Sequence, residues 1–179
     1  MRPNLSMPAP EIDLRDTVEQ ATPVLLAIDA ALAGRRPGPG KWSAKEILGH
    51  LVDSASNNHQ RFVRVDVSDE LVFPGYDQQA WVERQRYAEA DWAELVALWR
   101  CYNLHLARVI AALPADARRI PRRRHNLDEI AWQVVPRSEA VTLEYFLADY
   151  VGHLKHHLRQ LVRACGREPA GRIADGTPQ

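Results

Sequence analysis

Hydrophobic residues recur along this chain at intervals of three and four positions in four separate segments, which is the period of an amphipathic helix. The four predicted long helices cover approximately residues 11–33, 43–65, 91–113 and 142–165. Residues 34–42 form a short connection rich in Gly and Pro, whereas residues 66–90 and 114–141 are long enough to hold a short helix or strand. Four long helices with two long connections predict an all-α four-helix bundle.

Residue types typical of helix ends support these boundaries. Ser43 followed by Glu46 has the spacing of a capping box, in which each residue satisfies free N–H groups at a helix start. Asp91 can cap the third predicted helix, and Gly166 is a natural cap after the fourth. Pro23 lies inside the first predicted helix and should kink it or split it in two.

Length and composition predict an ordinary globular protein with one domain. The 179 residues are 46% hydrophobic and 26% charged, which suits a core over about residues 11–165 and a loosely ordered tail at 166–179. A formal net charge of zero provides no bulk attraction to nucleic acid or an anionic membrane. The sequence shows no membrane-spanning run and no secretory signal, and its two cysteines suit a reducing compartment, so we expect a cytoplasmic protein.

The fourth predicted helix contains an unusual cluster of histidines in the stretch GHLKHHLRQL. His153 and His157 are four residues apart, so they share one face of the helix and can bind one metal ion through ring nitrogens. His156 points about 100° away from His157 at 3.6 residues per turn, so the three cannot readily share one ion. A third ligand should therefore come from another helix.

The second predicted helix offers His50 as that ligand. Asp53, Asn57 and Arg61 follow it at helical steps and form a polar stripe beside the hydrophobic one. Polar groups inside a bundle are costly unless they are satisfied, and a divalent ion would satisfy the histidines. Three protein ligands leave one position open, as in catalytic zinc sites. The alternative is that these histidines are surface residues or hydrogen-bonded core groups without metal.

The segments KWSAKEILGHLVDS and H-x-x-H-H-L resemble the DinB-like superfamily of metal-binding four-helix bundles. The motif NNHQRFVRV followed by PGYDQQAW is similar to the YfiT-like branch, described as proposed metal-dependent hydrolases and as bacillithiol S-transferases. This resemblance covers about residues 42–161. It implies that His50, His153 and His157 bind a divalent metal, usually nickel or zinc, that His156 lies beside the ligands or faces substrate, and that the protein forms homodimers.

The function predicted from the residues and the resemblance together is that of a metal-dependent enzyme acting on a small molecule. The first candidate is a low-molecular-weight thiol S-transferase with the thiol as co-substrate, and the alternative is a metal-dependent hydrolase. A non-catalytic, stress-linked module for metal binding or interaction is the competing class. No residue is assigned as a catalytic acid or base.

Three further features each have two interpretations. Tyr76 would border the metal site if its loop folds over the bundle mouth, but the loop could instead be packed down by Trp81. Arg61 could bind a substrate carboxylate or pair with a nearby Asp. The arginine-rich stretch at 118–124 is expected to be a solvated loop or an anion patch at a dimer edge, in preference to a nucleic-acid site.

Overall fold

The computed structural model describes residues 8–65 and 70–173, and its four long helices are those that the hydrophobic spacing predicts. The helices are α1 (Pro10–Leu26), α2 (Ala30–Gly34), α3 (Ala44–Val65), α4 (Gln78–Arg84), α5 (Trp92–Ala112), α6 (Ala115–Arg119), α7 (Leu127–Ile130) and α8 (Leu143–Ala164). Two 3₁₀ turns, Tyr87–Glu89 and Gly171–Ile173, complete the regular structure. The described residues contain isolated β-bridges but no strand, which confirms the all-α fold class.

The four long helices form a bundle in which α1 and α3 lie diagonally across from each other. The principal contacts join α1 to α5 and α8, and α3 to α5 and α8. Trp99, Phe62 and Phe146 are the largest fully buried side chains, and they come from three of the four helices. Because α3 packs directly on α8, the helix that carries His50 is the neighbour of the helix that carries the histidine cluster.

The helix ends follow the predicted capping residues. The Ser43 backbone N–H donates to Glu46 Oε2 at 2.8 Å, and the Glu46 N–H donates to Ser43 Oγ at 3.3 Å, so the capping box is formed. Asp91 accepts from the backbone N–H of Glu94 at 2.9 Å. Gly166 adopts a φ of 67° directly after α8, where a residue without Cβ is favoured.

Replacing Ser43 with alanine is expected to lower the free energy of unfolding by about 0.5–2 kcal/mol, the usual cost of losing an N-terminal cap. The hydroxyl is fully buried and also donates to Glu46 Oε2 at 2.9 Å, so its loss leaves that carboxylate with fewer donors. Urea denaturation of both proteins measures the difference. Ser43→Thr, which keeps a hydroxyl, should lose less, and equal losses in the two variants would contradict the capping role.

The first predicted helix is split, as Pro23 suggested, although the break lies beyond the proline. Helix α1 continues through Pro23 to Leu26. The side chain of Asp29 then accepts from the N–H groups of Ala31 and Leu32 and starts the short helix α2. A proline near the end of a helix removes one N–H donor, and the chain reorganises within the next turn.

The arginine-rich stretch at 118–124 is only partly the solvated loop that was predicted. Arg118 is only 7% exposed and forms ion pairs with Glu11 and Glu144, which joins this stretch to α1 and α8. Arg122 is also buried and donates to the backbone carbonyls of Ala117 and Ile120. The other three arginines are exposed, as a solvated loop predicts. Charge spacing alone does not reveal that two of the five are structural, and the anion patch at a dimer edge stays a prediction.

The C-terminal tail is more ordered than its composition predicts. Ile173 is buried, and Arg172 forms ion pairs with Asp13 and Asp16 of α1. The loosely ordered tail was predicted over 166–179, and its last part, 174–179, lies outside the described residues. The one-domain organisation stays a prediction.

The length of the helices and the positions of the two cysteines are two further features of the fold. None of the helices within 8–65 and 70–173 is long and apolar enough to cross a membrane. Cys101 is exposed and Cys165 is buried, and both are free thiols. Cys101 is exposed because it lies on the outer face of α5.

Candidate metal centre

The structure brings together the three histidines that were predicted to bind metal. His50 is fully buried on α3, while His153 and His157 are partly buried on the facing side of α8. Nε2 of His50 lies 3.2 Å from Nε2 of His153. One ligand nitrogen from each of the three residues lies within 4.8 Å of the other two. Among the described residues this is the one group of three or more possible metal ligands that converge in this way.

The outer ring nitrogens have contacts that direct the inner ones toward a common centre. Nδ1 of His157 donates to Gln160 Oε1 at 2.9 Å, and Nδ1 of His153 lies 3.5 Å from Ser54 Oγ. Because Nδ1 of each ring makes these contacts, Nε2 of each ring is the nitrogen available to face the common centre. Metal-binding histidines typically use the second ring nitrogen in this manner, which fixes the tautomer and the ring orientation.

His50 is held by packing more than by hydrogen bonding. Its Nδ1 is buried and has no hydrogen-bond partner among the described residues. The ring of Trp42 packs over it at a centroid distance of 5.4 Å, and Trp42 Nε1 is itself fixed by Gln79 Oε1 at 3.0 Å. An indole therefore covers one side of the candidate centre.

Burial keeps these imidazoles neutral. Desolvation lowers the pKa of His50 to about 3 and that of His157 to about 4, with the neighbouring histidines adding to the shift. The pKa of His153 is lowered well below its ordinary value, again mainly by burial and then by the surrounding histidines. Neutral imidazole is the form that binds metal, so the protein need not release protons from these groups near neutral pH.

The geometry fits a divalent ion. Two nitrogens bound to one tetrahedral ion at 2.0–2.1 Å lie roughly 3.4 Å apart, close to the distance between His50 and His153. With the whole set within 4.8 Å, binding requires only a small inward shift of the side chains. Uncharged nitrogen donors suit zinc, nickel, iron and copper alike, so the donor set does not select one metal. That these residues bind an ion stays a prediction.

A cavity of about 370 Å³ opens beside the histidines. Its size is in the range of small-molecule sites. Its walls combine polar and aromatic side chains from α3, α8 and the two long connections. They include Ser54, Asn58, Arg61, Tyr76, Glu129, Trp132 and Asp149 together with His153, His156 and His157. The long connections therefore form part of the binding site, as their length suggested.

The other predicted site residues divide into two groups. Arg61 and Tyr76 line the cavity, and His156 lies at its exposed edge, where its ring contacts that of Trp132 at 5.5 Å. Tyr76 also packs on Trp81 at 4.9 Å, so both interpretations of its loop hold. The remaining two predicted residues, on α3, do not line this cavity.

Asp53 and Asn57 face other parts of the protein. Oδ1 of Asp53 accepts from the hydroxyl of Tyr87 at 2.7 Å and from Nε2 of Gln85 at 2.6 Å, whereas Oδ2 is buried without a partner among the described residues. Asn57 donates to the backbone carbonyl of Asp53. The geometry gives these two residues a role in packing the connection after α4 against α3. A place beside the metal ligands or the substrate, which the polar stripe suggests for them, stays a prediction.

Sequence reasoning missed several cavity residues. Ser54 and Asn58 are four and eight residues after His50, and Asp149 is four residues before His153, so helical spacing could have found all three. Asp149 accepts from the backbone N–H groups of Trp132 and Gln133 at 2.9 and 2.7 Å. It thereby holds the connection before α8 against the cavity. No sequence signal placed Trp132 there.

Gly49, the residue before His50, leaves room for the ring of Tyr87. A Cβ built at this position would lie 2.1 Å from Cδ2 of Tyr87, far inside contact distance. Gly49→Ala is therefore expected to lower the free energy of unfolding by up to about 2 kcal/mol. Overpacking costs about 1–3 kcal/mol, which exceeds the gain of at most about 1 kcal/mol from the better helix former.

Urea denaturation checks this expectation. Gly38→Ala is the matched control, because no atom lies within 4 Å of a Cβ at that position. The control should change stability by less than about 0.5 kcal/mol, as expected of a surface site. A Gly49→Ala protein as stable as the wild type would show that Tyr87 is free to move away.

Comparison with known proteins agrees with the fold and finds relatives whose names include metal dependence. The sequence profile of the DinB superfamily matches residues 13–161. YfiT of Bacillus subtilis (strain 168) is 26% identical over 128 residues, which are 72% of this chain and 66% of that protein. A protein of Oceanobacillus iheyensis is 22% identical over 129 residues, 72% of this chain and 68% of that protein. Both are named as proposed metal-dependent hydrolases, and the chain spans about two thirds of their length.

The fold is also that of a solved structure. YfiT from Bacillus subtilis, described as a four-helix bundle of unusual topology, superimposes with a TM-score of 0.70 at 20% identity. The match covers 94% of this chain and 95% of that one. Since the superfamily profile spans most of the sequence and includes all three converging histidines, this protein belongs to the DinB superfamily.

Proposed function

We propose that this protein is a metal-dependent enzyme that holds one divalent ion, nickel or zinc, through His50, His153 and His157. The observation that carries the proposal is the convergence of three neutral imidazoles, from two helices, beside a cavity large enough for a small molecule. Three protein ligands leave the ion a position open to that cavity. A purely structural site would use four protein ligands, and the described residues bring only three together.

A divalent ion bound there would supply Lewis acidity, which lowers the pKa of a coordinated water or thiol. The protein's own groups then orient the substrate. Burial raises the pKa of the Tyr76 phenol, so its hydroxyl stays protonated and is available as a hydrogen-bond donor in the cavity. That hydroxyl has no hydrogen-bond partner among the described residues, whereas the hydroxyl of Tyr150 already donates to Asn103.

Within this class we favour a low-molecular-weight thiol S-transferase. A hydrolase needs a base to take a proton from water, and the two carboxylates that line the cavity are already engaged. Asp149 accepts two backbone N–H bonds, and Glu129 pairs with Arg137. A thiol, with an ordinary pKa near 8.5, ionises with far less help than water. The hydrolase remains the second candidate because both curated relatives carry that name.

One assay distinguishes these functions. Nickel- or zinc-loaded protein would be incubated with a thiol, such as cysteine, and the electrophile monobromobimane, and in parallel with p-nitrophenyl acetate. Thiol conjugation above the uncatalysed rate supports the transferase, whereas ester hydrolysis without thiol dependence supports the hydrolase. Both signals should vanish in His153→Ala. If protein with a full complement of metal shows neither activity, the result favours the non-catalytic metal-binding class.

Two further properties complete the proposal. The free thiols of Cys101 and Cys165 support a reducing, cytoplasmic setting. The family resemblance supports a homodimer, which size-exclusion chromatography coupled to light scattering would test. A monomer at all concentrations would contradict the dimer without affecting the metal centre.

A further inference from the structure

Arg61 is a buried cation that has no negatively charged partner among the described residues. Its side chain is on α3, lines the cavity and is only 7% exposed. None of the ion pairs formed by the described residues includes it, whereas the other buried cavity-side charge, Asp149, is satisfied by backbone donors. Burial without a counterion destabilises a guanidinium and lowers the pKa of Arg61. This desolvation cost favours a role for Arg61 in binding a ligand rather than in packing alone.

The contacts of Arg61 orient the guanidinium and leave most of its donors available. Nη1 donates to Asn58 Oδ1 at 3.4 Å and Nη2 donates to the carbonyl of Pro74 at 3.0 Å. Both acceptors are neutral. A guanidinium has five N–H donors, so three remain for a ligand. The two contacts fix the plane of the group in advance, which lowers the entropic cost of binding.

The carboxylates close to the cavity do not compete for Arg61. Asp149 is held by the N–H groups of Trp132 and Gln133, and Glu129 is paired with Arg137 at the surface. Asp53 on the same helix accepts from Tyr87 and Gln85 and lies outside the cavity lining. Within residues 8–65 and 70–173, Arg61 does not form the pair with a nearby Asp that was the alternative from sequence.

We propose that Arg61 recognises a carboxylate, so that the substrates of this site are small molecules carrying an anionic group in addition to the group that reaches the metal centre. Bidentate pairing with a carboxylate is the interaction that guanidinium geometry favours. The inference rests on the proposed function, because it assigns the substrate class of the same site. It is independent of which reaction takes place there, since a transferase and a hydrolase would use the same anchor.

A series of hydroxamic acids tests the inference. Hydroxamates chelate divalent metals, and the monohydroxamates of succinic, glutaric and adipic acid carry a carboxylate at increasing distance from that group. The methyl ester of each compound is the neutral control. Dissociation constants would be measured by isothermal titration calorimetry on the zinc-loaded wild type, on Arg61→Gln and on Arg64→Gln. Arg64 is exposed on the same helix and contacts Gln60, so it is the matched control.

In the wild type and in Arg64→Gln, one acid of the series should bind at least about tenfold more tightly than its ester, as a charge-assisted hydrogen bond provides. In Arg61→Gln the acid and its ester should bind equally, with the ester's affinity unchanged. Equal binding of acid and ester to the wild type would overturn the inference while leaving the metal centre intact. Failure of every hydroxamate to bind would instead contradict the proposed function, so the two failures are distinguishable.

Discussion

Replacing His50 with alanine is expected to reduce bound divalent metal from about one equivalent per chain to a trace. His50 is the one converging ligand on α3, and its ring nitrogen is the neighbour of His153 Nε2. Without it, only His153 and His157 remain, and both would bind the ion from the same helix. Losing a group that merely supports a ligand typically costs 10–100-fold in metal affinity, so losing the ligand itself should cost about 100-fold or more.

Elemental analysis by plasma mass spectrometry, on protein purified without a polyhistidine tag or chelator, measures this loss. His59→Ala is the matched control, because His59 is on the same helix and its ring contacts His105 and Tyr102 on α5. It should retain the metal, and His153→Ala should lose it. Retention of metal by His50→Ala, or equal loss in His59→Ala, would show that the ion is bound elsewhere.

The metal-free protein is expected to lose stability steeply between about pH 6.5 and about pH 5. In the unfolded chain a histidine binds a proton below about pH 6.5, whereas burial lowers the pKa of His50 to about 3 and that of His157 to about 4, and also lowers that of His153. The unfolded state therefore binds more protons in this window, so the free energy of unfolding falls as the pH falls. Each histidine contributes up to about 1.4 kcal/mol per pH unit.

Two buried carboxyl groups act in the opposite direction. Desolvation raises the pKa of Asp53 and of Asp149, so the folded state takes up these protons before the unfolded state does. Two such groups reduce the slope without reversing its sign, because burial also lowers the pKa of His59 and His156, which adds to the effect of the three converging imidazoles. Burial alone would raise the pKa of Glu46, but hydrogen bonds from the Arg36 guanidinium and from Ser43 outweigh it, so the pKa is lowered overall. This carboxylate therefore adds to acid destabilisation only below the pH window of the histidines.

Urea denaturation of chelator-treated protein at several pH values gives the slope directly. His157→Gln removes one imidazole and should reduce the slope by about one proton, or about 1.4 kcal/mol per pH unit. Zinc-loaded protein should resist the loss until the ion dissociates. A stability that stays constant from about pH 7.5 to about pH 5 would mean that the histidines are solvated, and the interpretation of a buried neutral centre would be wrong.

The sequence was sufficient to predict the bundle and the ligand pair on α8 because both depend on local spacing. Helix starts at Ser43 and Asp91 follow from side chains that bond to backbone groups three residues away. His153 and His157 share a face for the same reason. Their meeting with His50 depends on α3 packing against α8, which the family resemblance implied and helical spacing could not establish.

The polar stripe on α3 shows where helical spacing becomes ambiguous. The steps from His50 to Asp53 and Asn57 and the steps to Ser54 and Asn58 are both compatible with one helix face. The structure turns Ser54 and Asn58 toward the cavity, because the neighbouring helices set the rotation of α3. The pattern of one helix alone leaves this rotation undetermined by about 100°, the angle between successive residues.

Two aromatic rings that pack on the helices carrying the predicted ligands could not be placed from sequence. Trp132 and Tyr87 are in connections whose path depends on contacts distant in the chain. The local sequence feature that accompanies each ring is a glycine on the facing helix. A Cβ at Gly152 would lie 2.8 Å from Trp132, and a Cβ at Gly49 would lie 2.1 Å from Tyr87. Each glycine directly precedes a predicted metal ligand, His153 or His50. Each aromatic ring therefore packs on the same helical turn that carries a ligand.

His50 and His153 are 103 residues apart in the chain, although their ring nitrogens are neighbours in the fold. An ion ligated by both would act as a reversible crosslink between the second and the last long helix. Separating those helices would require its release, so the unfolding rate would depend on free-metal concentration. A chelator would then shorten the lifetime of the native state without breaking a covalent bond, and metal supply would govern how long each molecule survives proteolysis.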